Sequence, residues 1–295
     1  MEEKIKNFGL DIERELLEQS DKDWFAGISS LPSLFLIPQQ VRRAFLPQGE
    51  IQRGREDMMD CATRGALNIF EAYFTYGVQQ KLFCEENIAW LKENGYIING
   101  TVVFSDAFIA ILSGTTRQGN SLKAPLEAIR KSGLIPKKML PLEPWMTFDD
   151  YHNPNRITEK MVELGKQFAI MFTVNYEKVY PSDFEEWLKT DMIESAGFAW
   201  PEPVNGEYPR TSNPFNHAFM VFNTPNYFIF DNYEVDGDFI KKLAADYILF
   251  NYGYRLFISA EKKSSYAEYL INNNIKISDN WVIALLKALR SFLRK

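Results

Sequence analysis

The chain has 295 residues, of which 46% are hydrophobic and 15% aromatic, and a net charge of −6. That length suits one large domain or two lobes, and the apolar content argues against global disorder. The acidic balance argues against a nucleic-acid binder, which needs a basic surface to displace counterions, and against an anionic membrane as partner of the main body. In chain order, residues 1 to about 45 form a lead-in segment. Its start, MEEKIKNFGLDIERELLEQ, is charged and lacks the apolar stretch of a secretory signal. Pro32, Pro38 and Pro47 break SSLPSLFLIPQQVRRAFLP into short extended or helical pieces.

A helix is expected from Cys61, because Leu67, Phe70, Phe74 and Val78 recur at three- and four-residue steps. A second helix fits EENIAWLKENG, closed by Gly95, and a third fits APLEAIRKSG, closed by Gly133. After about residue 150 the texture changes. QFAIMFTVNY (167–176) reads as a buried strand, and HAFMVFN, YFIFDNY and YGYRLFIS as further strands rich in aromatic and branched residues. Thr224-Pro225-Asn226 and Asp236-Gly237-Asp238 supply turns between them. The expected fold class is α+β, a helical lobe packed on a β-rich lobe. The C-terminal ISDNWVIALLKALRSFLRK is an amphipathic helix by pattern, with Val282, Leu285, Leu286, Leu289 and Leu293 in one stripe. Such a helix docks on the body or a partner protein, or lies on a membrane surface. No apolar run reaches the length of a membrane span.

Chemistry-bearing residues are few. The chain has two cysteines, Cys61 and Cys84, and two histidines, His152 and His217. Two cysteines cannot build a disulfide framework, which points to a reducing compartment. Cys61 sits where a helix begins, and unpaired N–H groups there favour a thiolate. Cys84 lies in the helical segment KLFCEENIAWLK and reads as inert. His217 opens one expected strand and Asn232 closes the next, so a hairpin would set them side by side. An Asn232 carbonyl accepting from the imidazole would fix its tautomer and leave the other ring nitrogen for the thiol. His152, in the polar DDYHNPN, reads as part of a solvated loop.

In this order of Cys, His and Asn, the sequence resembles the papain-like cysteine peptidases. FSDAFIAILSGTTRQGNSLKAPLEAIRKSGLIPKKMLPLEP (104–144) is similar to the family's stretch from a helix through the substrate-binding loop to a second helix. FAIMFTVNYEKVYPSDFEEW (168–187), NHAFMVFN and the strand ending in Asp231-Asn232-Tyr233 resemble its later strands. The likeness spans roughly residues 46 to 258, and the 156 residues from Cys61 to His217 are close to the family's spacing. Departures are plain. Met59-Asp60-Cys61-Ala62 replaces the usual cysteine signature, Tyr233 and Glu234 follow Asn232, and Arg55 stands where the family has its oxyanion-hole glutamine. Gln52, nine residues before Cys61, can serve if RGRED forms a longer loop. The FLPQGEIQ lead-in and the unusual flanks look most like divergent members encoded by tailed bacteriophages.

The resemblance implies a two-lobed papain-like fold over residues 46–260, with a helical lobe at about 55–150, a β-rich lobe at about 151–260 and a tail at 261–295. It implies a cysteine peptidase in which Cys61 attacks, His217 transfers protons, Asn232 orients the imidazole, and Gln52 with the Cys61 N–H holds the oxyanion. Gly119 and Asn120 fall where a substrate backbone pairs, and Leu122 and Ala218 where an apolar side-chain pocket is lined. A polypeptide substrate is implied, with no cofactor and no metal, and a cytoplasmic or virion location without secretion. Two alternatives stand beside this reading: an inactive papain-like structural or binding module, and an acyl-transferase of the same fold. Residues 1–45 are either a prosegment occluding the cleft or part of the body.

Overall fold

The computed structural model describes residues 7–20, 23, 32–200, 203–235 and 237–262. Helices dominate the first half. Helix α1 (Ile12–Leu17) is capped by Asp11, whose side chain accepts from Arg14 N. A 3-10 stretch at Gln39–Phe45 precedes α2 (Cys61–Gln79). Next come α3 (Glu85–Asn94), stopped by Gly95 at φ 80°, and a small hairpin of β1 (Ile97–Ile98) and β2 (Thr101–Val102). Helix α4 (Asp106–Leu112) is capped by Ser105, and α5 (Lys123–Ser132) ends at Gly133. The short α6 (Phe148–Tyr151) starts with a capping box from Thr147 and Asp150.

Helix α7 (Glu159–Met171) runs straight into β3 (Phe172–Val179), followed by α8 (Phe184–Trp187) and β4 (Met192–Gly197). The remaining strands are β5 (Glu207–Tyr208), β6 (His217–Asn223), β7 (Phe228–Val235), β8 (Asp238–Leu243) and β9 (Gly253–Glu261). They form a seven-stranded sheet in the order β3-β9-β4-β6-β7-β8-β5. One face of this sheet covers α2. Its Leu67, Ile69, Phe70, Tyr73 and Phe74 are all buried, and so are Arg64, Asn68 and Glu71, because this helix lies inside the molecule. The other face carries a second cluster around Phe219, Val221, Ile229 and Leu243. Residues of the lead-in enter both: Leu10, Ile37 and Phe45 the first, Phe8 the second.

Several expected elements need correction. QFAIMFTVNY is not one strand. Met161, Leu164, Phe168 and Met171 keep a helical period through Met171, so the apolar run straddles a helix–strand junction. Cys84 is not inside a helix but at the N-cap of α3. Strand β4 escapes sequence reading because it is buried along its whole length yet contains Glu194 and Ser195, which erases alternation. His152 is half-buried rather than in a solvated loop: its ring lies tilted against Phe148 at 4.1 Å and its Nε2 lies 2.8 Å from Met58 O. The expected C-terminal amphipathic helix lies outside the described residues.

Candidate active site

Cys61 is the first residue of α2 and is buried. Asp60 before it turns its carboxylate away from the helix end, accepting from Arg64 Nε at 2.9 Å and Tyr151 OH at 2.7 Å. Arg64 also meets Asp106 at 3.0 Å, so a buried ionic network anchors this end of α2. The RGRED stretch does form a closed loop: Met58 N donates to Gln52 O at 3.1 Å and Gly54 N to Glu56 O at 3.0 Å. Met59 leaves it at φ 53°, a conformation costly for a non-glycine residue.

The entry of β6 faces this helix end. Ala218 N donates to Cys61 Sγ at 3.3 Å, which puts the thiol against the main chain next to His217. The hydrogen bond expected between His217 and Asn232 is made by Asp231 instead, with His217 Nε2 2.9 Å from its Oδ1. The reason is register. Met220 pairs with Phe230 and Val221 with Ile229, so the odd-numbered residues of both strands share one face and the even-numbered ones the other. Asn232 therefore points toward α2, where it accepts from Asn68 Nδ2 at 2.7 Å and donates to Glu50 O at 2.9 Å. Asp231 is further held by Tyr233 N at 3.0 Å, by the Tyr208 hydroxyl and by Lys241 Nζ at 3.8 Å. Burial acts to raise its pKa, but His217, Lys241 and Tyr208 outweigh it and hold the carboxyl below its usual range. With an anion on Nε2, that nitrogen carries the ring proton. Nδ1 has no hydrogen-bond partner among the described residues.

The thiol departs from expectation. Burial pushes Cys61 well above the usual thiol range, and Asp60 and Asp57 add to the rise against the pull of the Ala218 N–H. The helix end does not win over the loss of solvent.

Gln52 is fully buried, and its Nε2 donates to Tyr233 OH at 2.9 Å, Asp57 Oδ1 at 3.1 Å and Phe8 O at 3.0 Å. Arg55, the other candidate donor, is exposed. The Phe8 contact belongs to a longer series. Phe8 N donates to Asn216 O at 3.0 Å, Asn120 N to Gly9 O at 2.9 Å and Asp11 N to Asn120 O at 2.9 Å. Leu10 pairs with Asn120 in parallel sense. Residues 8–11 thus run past this end of α2, bending at Gly9 (φ 105°), and the Phe8 ring meets His217 edge-on at 5.8 Å. The approach is close enough that a Cβ on Gly9 would come 2.6 Å from the Met59 carbonyl carbon, and one on Gly119 2.0 Å from Gly9 O. Leu122 and Ala218 are both buried nearby in the main core. Asp231 and the Phe8–Asp11 segment are the site features that sequence reading missed. An acid in DNY was one residue from the residue singled out.

Among the described residues no cluster of His, Cys, Asp and Glu could hold a metal ion, and no helix is long and apolar enough to cross a membrane.

No family model matches the sequence, and no curated protein is similar to it. Solved structures do resemble the fold. A structure from work on antibody cross-reactivity between the mite allergens Blo t 1 and Der p 1 superposes with a TM-score of 0.50 at 11% identity, covering 85% of this chain and 78% of that one. The ragweed pollen allergen Amb a 11, a cysteine protease in its proform, superposes with a TM-score of 0.51 at 10% identity, covering 88% and 76%. The fold is that of the papain-like cysteine proteases, a helical region packed on a large sheet.

Proposed function

We propose that the chain is a papain-like cysteine peptidase held with its own N-terminal segment in the cleft. One observation carries this reading: the main chain of residues 8–11 passes the Cys61–His217 region, bonded by Gln52, Asn120 and Asn216 through its peptide groups. Groups that recognise peptide N–H and C=O on both sides of a thiol and an imidazole suit a polypeptide substrate. In the reaction, His217 takes the thiol proton and Cys61 Sγ bonds to the scissile carbonyl carbon. Gln52 Nε2 and the Cys61 N–H hold the oxyanion. Collapse breaks the C–N bond as His217 protonates the leaving amine, and water then hydrolyses the thioester with His217 as base. Asp231 keeps the proton on Nε2 throughout, the role first given to Asn232. The likeness to phage-encoded members rests on the FLPQGEIQ lead-in and the cysteine flanks alone.

A second reading, an inactive module of the same fold, is favoured by the raised Cys61 thiol and its bond to Ala218 N–H. Gly9→Val separates the two. The new side chain meets the Met59 backbone and cannot easily hold φ 105°, so it loosens the segment. For a peptidase, a peptidyl epoxide then alkylates Cys61 at least tenfold faster than in the wild type, casein is cleaved, and Cys61→Ala abolishes both. A Gly9→Val protein that is folded, unlabelled and inactive would establish the inactive module.

A further inference from the structure

Glu15, on the inner side of α1, is fully buried. Its Oε1 accepts from Tyr252 OH at 2.6 Å and from Tyr254 OH at 3.1 Å, and its Oε2 from Lys123 N at 3.1 Å. Burial raises the Glu15 pKa above its usual range, while the two hydroxyls and the Lys123 and Leu122 N–H groups act against it and favour the charged form. Lys123 opens α5, ten residues long, so the positive end of a helix points at the same carboxylate. Lys123 Nζ goes instead to Glu18 O at 2.8 Å and to Asp23, while Lys178 Nζ lies 4.2 Å over the Tyr252 ring and is coupled to Glu15 by charge.

None of these four donors belongs to α1. They come from β9, the residue just before it and the start of α5, so the body of the protein builds the pocket and α1 only fills it. The pocket also continues the cleft. The main chain leaves Phe8, pairs with Asn120 and enters α1, while Leu122 and Lys123 follow Asn120 by two and three residues. Two further acids act on this region: Asp23, paired with Lys123, and Glu194, whose proton burial and Glu15 hold well above the usual carboxylate range.

Resting on the reading of residues 8–17 as the cleft's own occupant, we propose that this pocket is a carboxylate-recognising subsite, filled by Glu15 in the intact chain and by an aspartate or glutamate side chain of the polypeptide substrate once α1 has moved. A carboxylate accepts from all four donors at once, whereas a glutamine amide must turn its nitrogen to the tyrosine hydroxyls and loses their two donated bonds. The subsite adds an acidic requirement beside the apolar wall of Leu122 and Ala218.

Two measurements on the full chain test this. With Glu15→Ala protein, peptidyl vinyl sulfones carrying Glu or Gln at each of three successive positions are compared for the rate of Cys61 labelling. At one position the Glu probe reacts about tenfold faster, and adding Tyr252→Phe and Tyr254→Phe removes most of that ratio. Equal rates at every position overturn the subsite. Should Glu15→Ala not fold, the same comparison is made on Glu15→Gln. Separately, acetate raises the melting temperature of Glu15→Ala saturably, whereas acetamide does not, and the effect is lost with the two tyrosine changes. No saturable acetate effect overturns the proposal. If no reagent labels Cys61, iodoacetamide included, the peptidase reading fails, and the acetate measurement still decides the pocket.

Discussion

Asp231 and Glu194 lie in the same sheet, two strands apart, and both are buried, yet they end in opposite states. Asp231 faces the odd-numbered side with His217, Lys241, Tyr208 and the Tyr233 N–H around it, and its pKa falls below the usual carboxylate range. Glu194 faces the even-numbered side against α2, where its Cγ comes 3.4 Å from the position of a Cβ on Gly65. Neither of its oxygens has a hydrogen-bond partner among the described residues, and burial holds its proton well above the usual range. Burial penalises both carboxylates, and only the partners differ. Asp231 is thus an anion suited to fix an imidazole, and Glu194 a neutral acid that loads the core.

The contrast breaks most severely at Asp231. Asp231→Ala is expected to lower kcat by about 10³–10⁴ through loss of the imidazole tautomer, measured on casein with a Gly9→Val background that frees the cleft. Circular dichroism on the same samples checks that the fold survives. An activity within tenfold of the parent would remove Asp231 from the site.

Gln52→Ala tests the network around Tyr233 and Asp57 by removing the amide that donates to Phe8 O. The expected loss is about 10²–10³ in kcat, with Cys61 alkylation by iodoacetamide changed less than threefold. Parallel losses in both assays would mean that Gln52 supports the loop rather than an oxyanion.

Glu194→Gln tests the other face through stability. A folded-state pKa above the unfolded value near 4.3 means that the folded state holds a proton the unfolded state releases, so stability declines as pH rises through and beyond that value. The glutamine variant escapes this decline. Its melting temperature should exceed that of the wild type by several degrees at pH 7, and the difference should vanish at pH 4. A constant difference across that range would show that Glu194 is not held protonated.

The smallest effect is expected from Asn232→Ala. It breaks the bonds to Asn68 and Glu50 and costs about 1–2 kcal/mol in urea unfolding. Its kcat should stay within threefold of the parent. A loss as large as that of Asp231→Ala would return the orienting role to Asn232.

Local pattern was enough to read much of this molecule. The start of α2 at Cys61 and the glycine stops of α3 and α5 follow from helical period and backbone freedom, which are properties of neighbouring residues. The two strands joined through Thr224-Pro225-Asn226 were equally legible, and a hairpin necessarily brings His217 near the end of the partner strand. Which residue of Asp231-Asn232-Tyr233 it meets was beyond that reading. Register depends on the irregularity between Val221 and Asn223, and a slip of one residue exchanges every side chain between faces. Only packing selects the slip, by placing the Phe219 and Val221 side in one cluster and Met220 with Phe222 against α2.

The cleft's occupant was decided in the same way. NFGLDIEREL carries no sign that Phe8 reaches Gln52 or that Glu15 reaches Tyr252, because those contacts join residues 44 and 237 apart. Residue types and local periodicity were enough to name the candidates for the chemistry and most of the elements that bear them. The tertiary structure alone decided which acid touches the imidazole, which acid stays protonated and what lies across the thiol, since each depends on burial and on partners distant in the chain.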